Sequence, residues 1–459
     1  EIKSKNGVVR LRTKVTENVK KGVVFLPMHW GKVLQSNLNR ANNLTNTHVD
    51  PVSKEPDFKF TAVSVSKYKK PKEKIVIAGA GAAAFRFLQN YRDNNEADEI
   101  HVFSKESNLF YNRVLLPEYI TEELSWEQLL KINNAEVKKL DIKIHPETII
   151  DGIDKENKTV TDSNGETHSF DKLILATGSR PFIPKDVQID LPGRFTMRNK
   201  IDADRFKTYL DNTGLPPEEQ HVVIVGGGLL GLELAAAMKH KNVKITIVQR
   251  ASRLMERQLD KISSKLLSLD VQERGIQIDL DNEVSTVFDD EDTGELNITL
   301  KSGKYITANA IVYAIGTRPN IEIAKNSGIA CGRGVKVNQH LQSSHPDIFA
   351  IGEIAEFENK LFGITSAAEE QAGILANFIA GDISEAYKGS VLMNILKFND
   401  LNLCSIGEIS VPDNDPSYEE IIFTDISKRY YKKCIVKNDL LIGAVLVGDK
   451  NEFAEFKTL

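Results

Sequence analysis

One unit occurs twice in this chain of 459 residues. A short apolar strand runs straight into a glycine turn and then into a helix-compatible run. The first copy is Lys74-Ile75-Val76-Ile77-Ala78-Gly79-Ala80-Gly81-Ala82-Ala83-Ala84, and the second is Val222-Val223-Ile224-Val225-Gly226-Gly227-Gly228-Leu229-Leu230-Gly231. Far downstream each copy is closed by a matching element, Ala176-Thr177-Gly178-Ser179-Arg180-Pro181 and Ala314-Ile315-Gly316-Thr317-Arg318-Pro319. Such a duplication is most simply two α/β domains of one architecture in tandem. In the turn, the first glycine makes the bend and the second lets a pyrophosphate reach the backbone. The third lets the helix pack closely on the strand, and the helix N-terminus faces the anion. A single match also occurs in turns that merely pack a helix on a strand. Two copies, each between a strand and a helix, point to two dinucleotide sites.

Composition narrows the partners. Hydrophobic residues make up 41% and charged residues 27%, the balance of a soluble globular chain. A net charge of −5 and the lack of a long basic run argue against nucleic acid. The most apolar run, from Val222 to Met238, is broken by Gly226, Gly227, Gly228 and Glu233, so it is not a membrane span. The cysteines Cys331, Cys404 and Cys434 are too few and too scattered for a disulfide framework or a metal cage, and they fit a reducing, cytoplasmic setting. The chain opens at Glu1 just before a strand-like pattern and reads as a piece of a longer polypeptide. Residues 1–63 are short apolar runs split by turn signals such as Asn42-Asn43 and Asp50-Pro51. Residues 64–73, charged and containing Pro71, read as a linker.

A carboxylate for the adenosine ribose is expected at the end of the next strand, about 20 residues beyond each turn. In the first unit that strand is Glu99-Ile100-His101-Val102-Phe103, and Glu106 is the first acid after it. In the second, Lys244-Ile245-Thr246-Ile247-Val248 is followed by Gln249-Arg250, with no acid. Arg250 and Arg253 either pair with a 2′-phosphate, which would select NADPH, or are solvated loop arginines. Near the end, Asp347-Ile348-Phe349-Ala350-Ile351 leads into Gly352-Glu353 and then a helix-compatible run from Ser366 to Ile379. This resembles the late FAD motif of flavoproteins with two dinucleotide-binding domains, in which the strand-end acid bonds the ribityl chain. Aspartate is usual there; here the residue is Glu353. Flavin disulfide reductases carry a redox cysteine shortly after the first unit. The corresponding Phe110-Tyr111-Asn112-Arg113-Val114-Leu115-Leu116-Pro117-Glu118-Tyr119 has none. Thiol chemistry is therefore not expected, and a flavin without a thiol partner hands its electrons to another centre.

From Lys74 to Leu459 the chain resembles the flavoprotein part of the large subunit of NAD(P)H-dependent assimilatory nitrite reductase, in the pyridine nucleotide-disulfide oxidoreductase superfamily. The matching segments include Val102-Phe103 through Tyr111-Asn112-Arg113, Val225-Gly226-Gly227-Gly228-Leu229-Leu230-Gly231-Leu232-Glu233, Glu256-Arg257-Gln258-Leu259-Asp260, and Leu441-Ile442-Gly443-Ala444-Val445-Leu446-Val447-Gly448-Asp449. The resemblance implies hydride entry at the second nucleotide site. Electrons would leave toward an iron–sulfur, rubredoxin-like or siroheme module. It also implies a small third domain at about 389–459, packed beside the flavin. The family's usual acid is absent where Gln249 stands. The front segment resembles the C-terminal end of a molybdopterin-dependent assimilatory nitrate reductase. The match lies in Gly22-Val23-Val24-Phe25-Leu26-Pro27-Met28-His29-Trp30, Ala41-Asn42-Asn43-Leu44-Thr45, and Asp50-Pro51-Val52-Ser53-Lys54-Glu55-Pro56-Asp57-Phe58-Lys59. In that family this is a β-barrel domain capping the bis-pterin (bis-MGD) cofactor. His29, Asn43 and Lys59 are then implied to face a pterin, or are ordinary barrel and loop residues.

The expected fold is α/β: two tandem Rossmann-like dinucleotide-binding domains with β-meander insertions, a small α+β C-terminal domain and an N-terminal partial β-barrel segment. The expected boundaries are 1–63 for the barrel end, 64–73 for the linker, 74–197 with 305–388 for FAD, 198–304 for NAD(P)H, and 389–459 for the last domain. Gly79, Gly81, Ala84 and Glu106 are assigned to the adenosine diphosphate of FAD, with Arg113, Thr177, Gly178, Gly352 and Glu353 lining it elsewhere. Gly226, Gly228, Gly231 and Glu233 are assigned to NADH or NADPH, with Glu233 otherwise a solvent-facing helix residue. No side-chain acid or base is expected, because hydride transfer needs stacking, alignment and exclusion of water. The parent implied by both resemblances is a fused nitrate reductase, with the molybdopterin and iron–sulfur centres outside this chain. The alternatives are a nitrite reductase large subunit, a stand-alone NAD(P)H:rubredoxin reductase, and a non-catalytic flavin-binding module.

Overall fold

A computed structural model describes residues 1–11, 13–26, 41–45, 50–53, 60–68, 71–108, 110–398, 401–412, 415–448 and 453–456. They divide into two units, 1–72 and 73–459. In the first, Ile2–Lys3 pairs antiparallel with both Val8–Val9 and Ser64–Val65, over a small core of Ile2, Val9 and Leu44. Ser64 and Val65, expected in the linker, are thus a strand. Their backbone groups find partners in Ile2–Lys3, a long-range pairing that local composition does not signal.

In the second unit, near-continuous apolar runs make strands buried on both faces, as parallel sheets require. The first sheet has the order Ile348–Ala350, Lys172–Leu175, Lys74–Ala78, Glu99–Phe103, Ile142–His145, all parallel. Ile75, Val76 and Ile77 at its centre are fully buried. The helix Ala82–Asn94 packs against Thr365–Ile379. Alanines at Ala83, Ala84, Ala367 and Ala368 join that core, and small side chains let two helices approach closely. Ile150–Asp154, Thr159–Asp162 and Thr167–Ser169 form the inserted antiparallel meander.

The second sheet repeats the plan: Arg194–Thr196, Ala310–Tyr313, His221–Val225, Lys244–Val248, Gln277–Asp279, again all parallel. Two of its strands, Arg194–Thr196 and Ala310–Tyr313, fall outside the expected stretch 198–304. Val222–Val225 needs a parallel partner on its free edge, and Ala310–Tyr313, buried throughout, supplies it. Val284–Asp289, Leu296–Leu300 and Tyr305–Ala308 form the second meander. The two closing motifs then pair with each other: Ser179–Pro181 runs antiparallel to Thr317–Pro319, with Arg180 opposite Arg318.

The last segment is a five-stranded antiparallel sheet, Met393–Phe398, Leu401–Gly407, Leu440–Val447, Tyr430–Lys437, Tyr418–Asp425, with a short helix, Phe453–Phe456. The resemblance places this piece beside the flavin. Its apolar residues Leu396, Leu403, Tyr431, Val445 and Val447 share a core with Leu232, Leu254 and Leu259 of the second nucleotide unit and with Tyr111, Leu116 and Ile120 of the first. Among the described residues, no helix is long and apolar enough to cross a membrane.

Histidines make the fold acid-sensitive. His101 Nδ1 lies 3.0 Å from His145 Nε2, and His221 is held between the Thr307 carbonyl and Thr246 Oγ1. Burial lowers the pKa of all three below the usual 6.5. A histidine whose folded pKa is depressed binds its proton more readily in the unfolded chain. Stability is therefore present at neutral pH and is lost as pH falls through the unfolded value. The thermal midpoint should fall by several degrees between about pH 7.5 and about pH 5, before the carboxylates titrate. A midpoint that holds or rises over that window would contradict this account.

Candidate functional site

The two glycine turns have the same construction. Gly79 and Gly226 adopt φ of +111° and +116°. A Cβ on them would lie 2.2 Å from the Ala176 carbonyl oxygen and 2.4 Å from that of Ala314. Only glycine fits where the turn crosses the neighbouring strand's end. Gly81 and Gly228 differ: a Cβ there would meet nothing within 4 Å. Each is the N-cap of a helix, Ala82–Asn94 or Leu229–His240, with no side-chain cap and no acid in the first turn. Asn134–Leu140 and Lys200–Asp211, by contrast, carry side-chain caps from Asn133 and Asn199. Two uncapped helix starts over open space suit a pyrophosphate, whose oxygens would accept from the free N–H groups. At the third position the copies diverge. Gly231 lies against the Gly226 carbonyl, where a Cβ would come within 2.0 Å, whereas Ala84 is fully buried. Gly227, inside the second motif, is just as confined: a Cβ would stand 2.4 Å from Leu254 Cδ2.

Beyond the first turn, the structure joins two residues assigned to different parts of FAD. Arg113 Nη2 lies 2.6 Å from Glu106 Oε1, and Tyr111 donates to Glu106 Oε2 at 2.7 Å. Burial raises the Tyr111 pKa, which keeps the phenol a donor. Glu353 is held by Arg198, whose Nη2 is 2.5 Å away, and by the Ser179 hydroxyl. Arg198 also donates through Nε to the Ser179 carbonyl at 3.1 Å. Gly178 takes φ of +62°, and Asn320 fixes Thr177 and Gly178 through bonds to both carbonyls at 2.9 Å. The Gly352 N–H donates to fully buried Gln371 Oε1 at 2.7 Å. The following helix, Thr365–Ile379, also starts without a side-chain cap or an acid in its first turn. Sequence reading missed Tyr111, Ser179, Arg198, Gly227, Asn320 and Gln371. Tyr111, Ser179 and Gly227 lie within the motifs quoted above, while Arg198 and Gln371 carry no local signal.

In the second unit, Glu233 is half-buried on its helix. Gln249, at the position of the expected acid, turns inward and accepts from the Gly227 N–H at 2.8 Å. The Arg250 side chain is 80% exposed and lies 3.9 Å from Glu283. Arg253 donates through Nη2 to the Glu256 carbonyl at 3.0 Å, and its buried Nε has no partner. Of the residues implied for a pterin, Asn43 is half-buried in the turn Ala41–Asn43, while His29 and Lys59 lie outside the described residues.

The cysteines stand apart from these groups. Cys404 is buried in the C-terminal sheet and its thiol is pushed up to about 12 by burial. Burial also raises Cys331, which donates to the Ile329 carbonyl. The thiolates of Cys331 and Cys404 are therefore scarce at neutral pH. Alkylation with iodoacetamide should leave flavin reduction by nicotinamide unchanged, and a large loss of rate would revive thiol chemistry.

Paired cradles on paired parallel sheets, with an acid and an uncapped helix at the end of the first, define a flavin-dependent oxidoreductase of nicotinamide nucleotides. The pyridine nucleotide-disulphide oxidoreductase model matches residues 73–372, and the chain belongs to that family. Residues 393–459 match the rubredoxin NAD+ reductase C-terminal domain, and 1–62 match the molydopterin dinucleotide binding domain. The chain is 31% identical over 385 residues to the assimilatory nitrate reductase electron transfer subunit of Bacillus subtilis, covering 83% of this chain and 48% of that one. It is 30% identical to the nitrite reductase [NAD(P)H] of the same organism, covering 83% and 46%. It thus spans about half the length of these relatives. The crystal structure of NADH:rubredoxin oxidoreductase from Clostridium acetobutylicum aligns with a TM-score of 0.68 at 28% identity, covering 84% of this chain and 94% of that one. The chain is an NAD(P)H-dependent FAD oxidoreductase module.

Proposed function

We propose that this module feeds electrons from nicotinamide, through FAD, to the molybdenum centre of an assimilatory nitrate reductase that reduces nitrate to nitrite. One observation carries the reading: a molydopterin dinucleotide binding match at 1–62 precedes the reductase match on the same chain. When bound, FAD accepts a hydride's two electrons together and releases them singly. Gly79, Gly81 and the start of the helix Ala82–Asn94 hold its pyrophosphate, with Glu106 and Arg113 beside the adenosine half. Thr177, Gly178, Gly352 and Glu353 line the remainder, and Arg198 keeps the Glu353 carboxylate oriented. Gly226, Gly228, Gly231 and Glu233 hold the nicotinamide nucleotide, and Arg250 and Arg253 take the 2′-phosphate of NADPH. The chain's task is alignment and exclusion of water, with no side chain moving a proton. The immediate acceptor is an iron–sulfur or rubredoxin-like module, and the setting is cytoplasmic. A second reading, direct reduction of rubredoxin, is favoured by the match at 393–459.

Anaerobic mixing of the flavin-loaded chain with NADH, and separately with NADPH, tests the input. Bleaching of the flavin band by either is expected, faster with NADPH. With FAD bound and no bleaching by either, only a flavin-binding module remains. Fast oxidation by added rubredoxin would favour the second reading over nitrate. In the longer parent protein, NAD(P)H-driven formation of nitrite from nitrate is expected. Consumption of nitrite instead would turn the assignment to nitrite reductase.

A further inference from the structure

The segment Glu256-Arg257-Gln258-Leu259-Asp260 has no role in the cofactor sites described above, yet it stands where three elements meet. Residues 249–264 form a strap under the second glycine turn. Gln249 Oε1 accepts from the Gly227 N–H at 2.8 Å, and the Met255 N–H donates to the Gly227 carbonyl at 2.9 Å. Leu254 closes on the Gly227 Cα, and the Ser264 hydroxyl donates to the Leu254 carbonyl at 2.8 Å. Met255 is buried with φ of +47°, so the strap is held in a conformation that costs energy. At its far end Asp260 caps the helix Lys261–Glu273: Oδ1 accepts from Ser263 N at 2.9 Å and Ser263 Oγ at 2.6 Å. Its other oxygen faces the C-terminal sheet. Tyr431 donates to Oδ2 at 2.5 Å, and the Lys433 ammonium lies 3.5 Å from the same atom. Lys433 is only 5% exposed and is also paired with Glu420 at 2.5 Å. A buried cation shared by two carboxylates, one of them also bonded to a phenol, specifies a docking geometry far more narrowly than apolar contact alone.

We propose that Asp260 is a positioning residue for the nicotinamide nucleotide: it anchors the strap to the C-terminal sheet and so holds the Gly227–Gly228 turn in its binding geometry. The inference rests on the assignment of the second turn to that nucleotide. Tyr431→Phe and Lys433→Met test it, because each removes a contact to Asp260 Oδ2 from the side of the C-terminal sheet while leaving the residues of the strap and the Ser263 bonds of the helix cap in place. Two readouts apply to the flavin-loaded chain. In anaerobic stopped-flow reduction, each variant should raise the apparent dissociation constant for NAD(P)H by about three- to tenfold, with the limiting rate and FAD content kept. In hydrogen exchange, the amides of Gly227 and Met255 should exchange faster in both variants. A clamp that serves stability alone would lower the thermal midpoint while leaving the dissociation constant and those two amides as in the parent, and that result overturns the proposal. If neither nicotinamide reduces the unaltered chain, the functional assignment fails, and the exchange readout still decides whether the clamp holds the turn.

Discussion

Gly228→Val is expected to leave the chain folded and yellow while slowing its bleaching at limiting NADH or NADPH by about 100-fold. Gly228 has φ of −85°, which valine adopts without strain, and a Cβ there meets no protein atom within 4 Å. The space it fills is the space a pyrophosphate needs at the start of Leu229–His240. Losing charge-assisted bonds worth about 1.5–3 kcal/mol, on top of the steric exclusion, gives that factor. Gly226→Val is the contrasting case, since its Cβ would be driven into the Ala314 carbonyl at a φ closed to valine. That variant should express poorly and lose FAD as well. Flavin spectra and stopped-flow traces of the two variants separate the cases. Normal reduction of Gly228→Val would mean that nicotinamide binds elsewhere.

The second large effect is expected at Arg198. Replacing it by leucine removes both guanidinium bonds to Glu353 and leaves a carboxylate that is 28% exposed beside Ser179 alone. Because the pair is partly exposed, the loss is about 2–3 kcal/mol rather than the larger figure of a fully buried one. FAD retention should weaken by about 30- to 150-fold, read from the dissociation constant in fluorescence titration. Glu353→Gln, which keeps an acceptor for Ser179, should be milder. Unchanged FAD affinity in Arg198→Leu would remove Glu353 from the flavin site.

The parts of the fold that were legible are those whose physics is local. Val76, Val223 and their neighbours are apolar without alternation because both faces of a parallel sheet are covered. The glycines announce themselves because the turn tolerates nothing else. Arg194–Thr196 escaped notice because three residues, one of them charged, make no periodic signal; Arg194 is buried against Asp289. Arg198 and Gln371 act through partners 155 and 19 residues away, a relation no single sequence displays. The surface that receives the last sheet was not legible for a related reason. Its apolar residues can be read as buried, but which helix buries Leu403 or Val447 depends on the tertiary arrangement.

The pairing of the two closing motifs has a further meaning. Ser179 faces Pro319, Arg180 faces Arg318 and Pro181 faces Thr317, so the ladder is centred on equivalent positions of the repeat. Self-complementary contact about a central pair is what a two-fold axis produces between identical subunits. At this point the chain has the local symmetry of a homodimer carried on one polypeptide, although its two halves need not have the same neighbours. Arg180 now pairs with Glu322, while its counterpart Arg318 lies over the ring of Phe182 at 4.6 Å. Equivalent positions on one seam thus make two different locks, an ion pair on one side and a cation over an aromatic ring on the other.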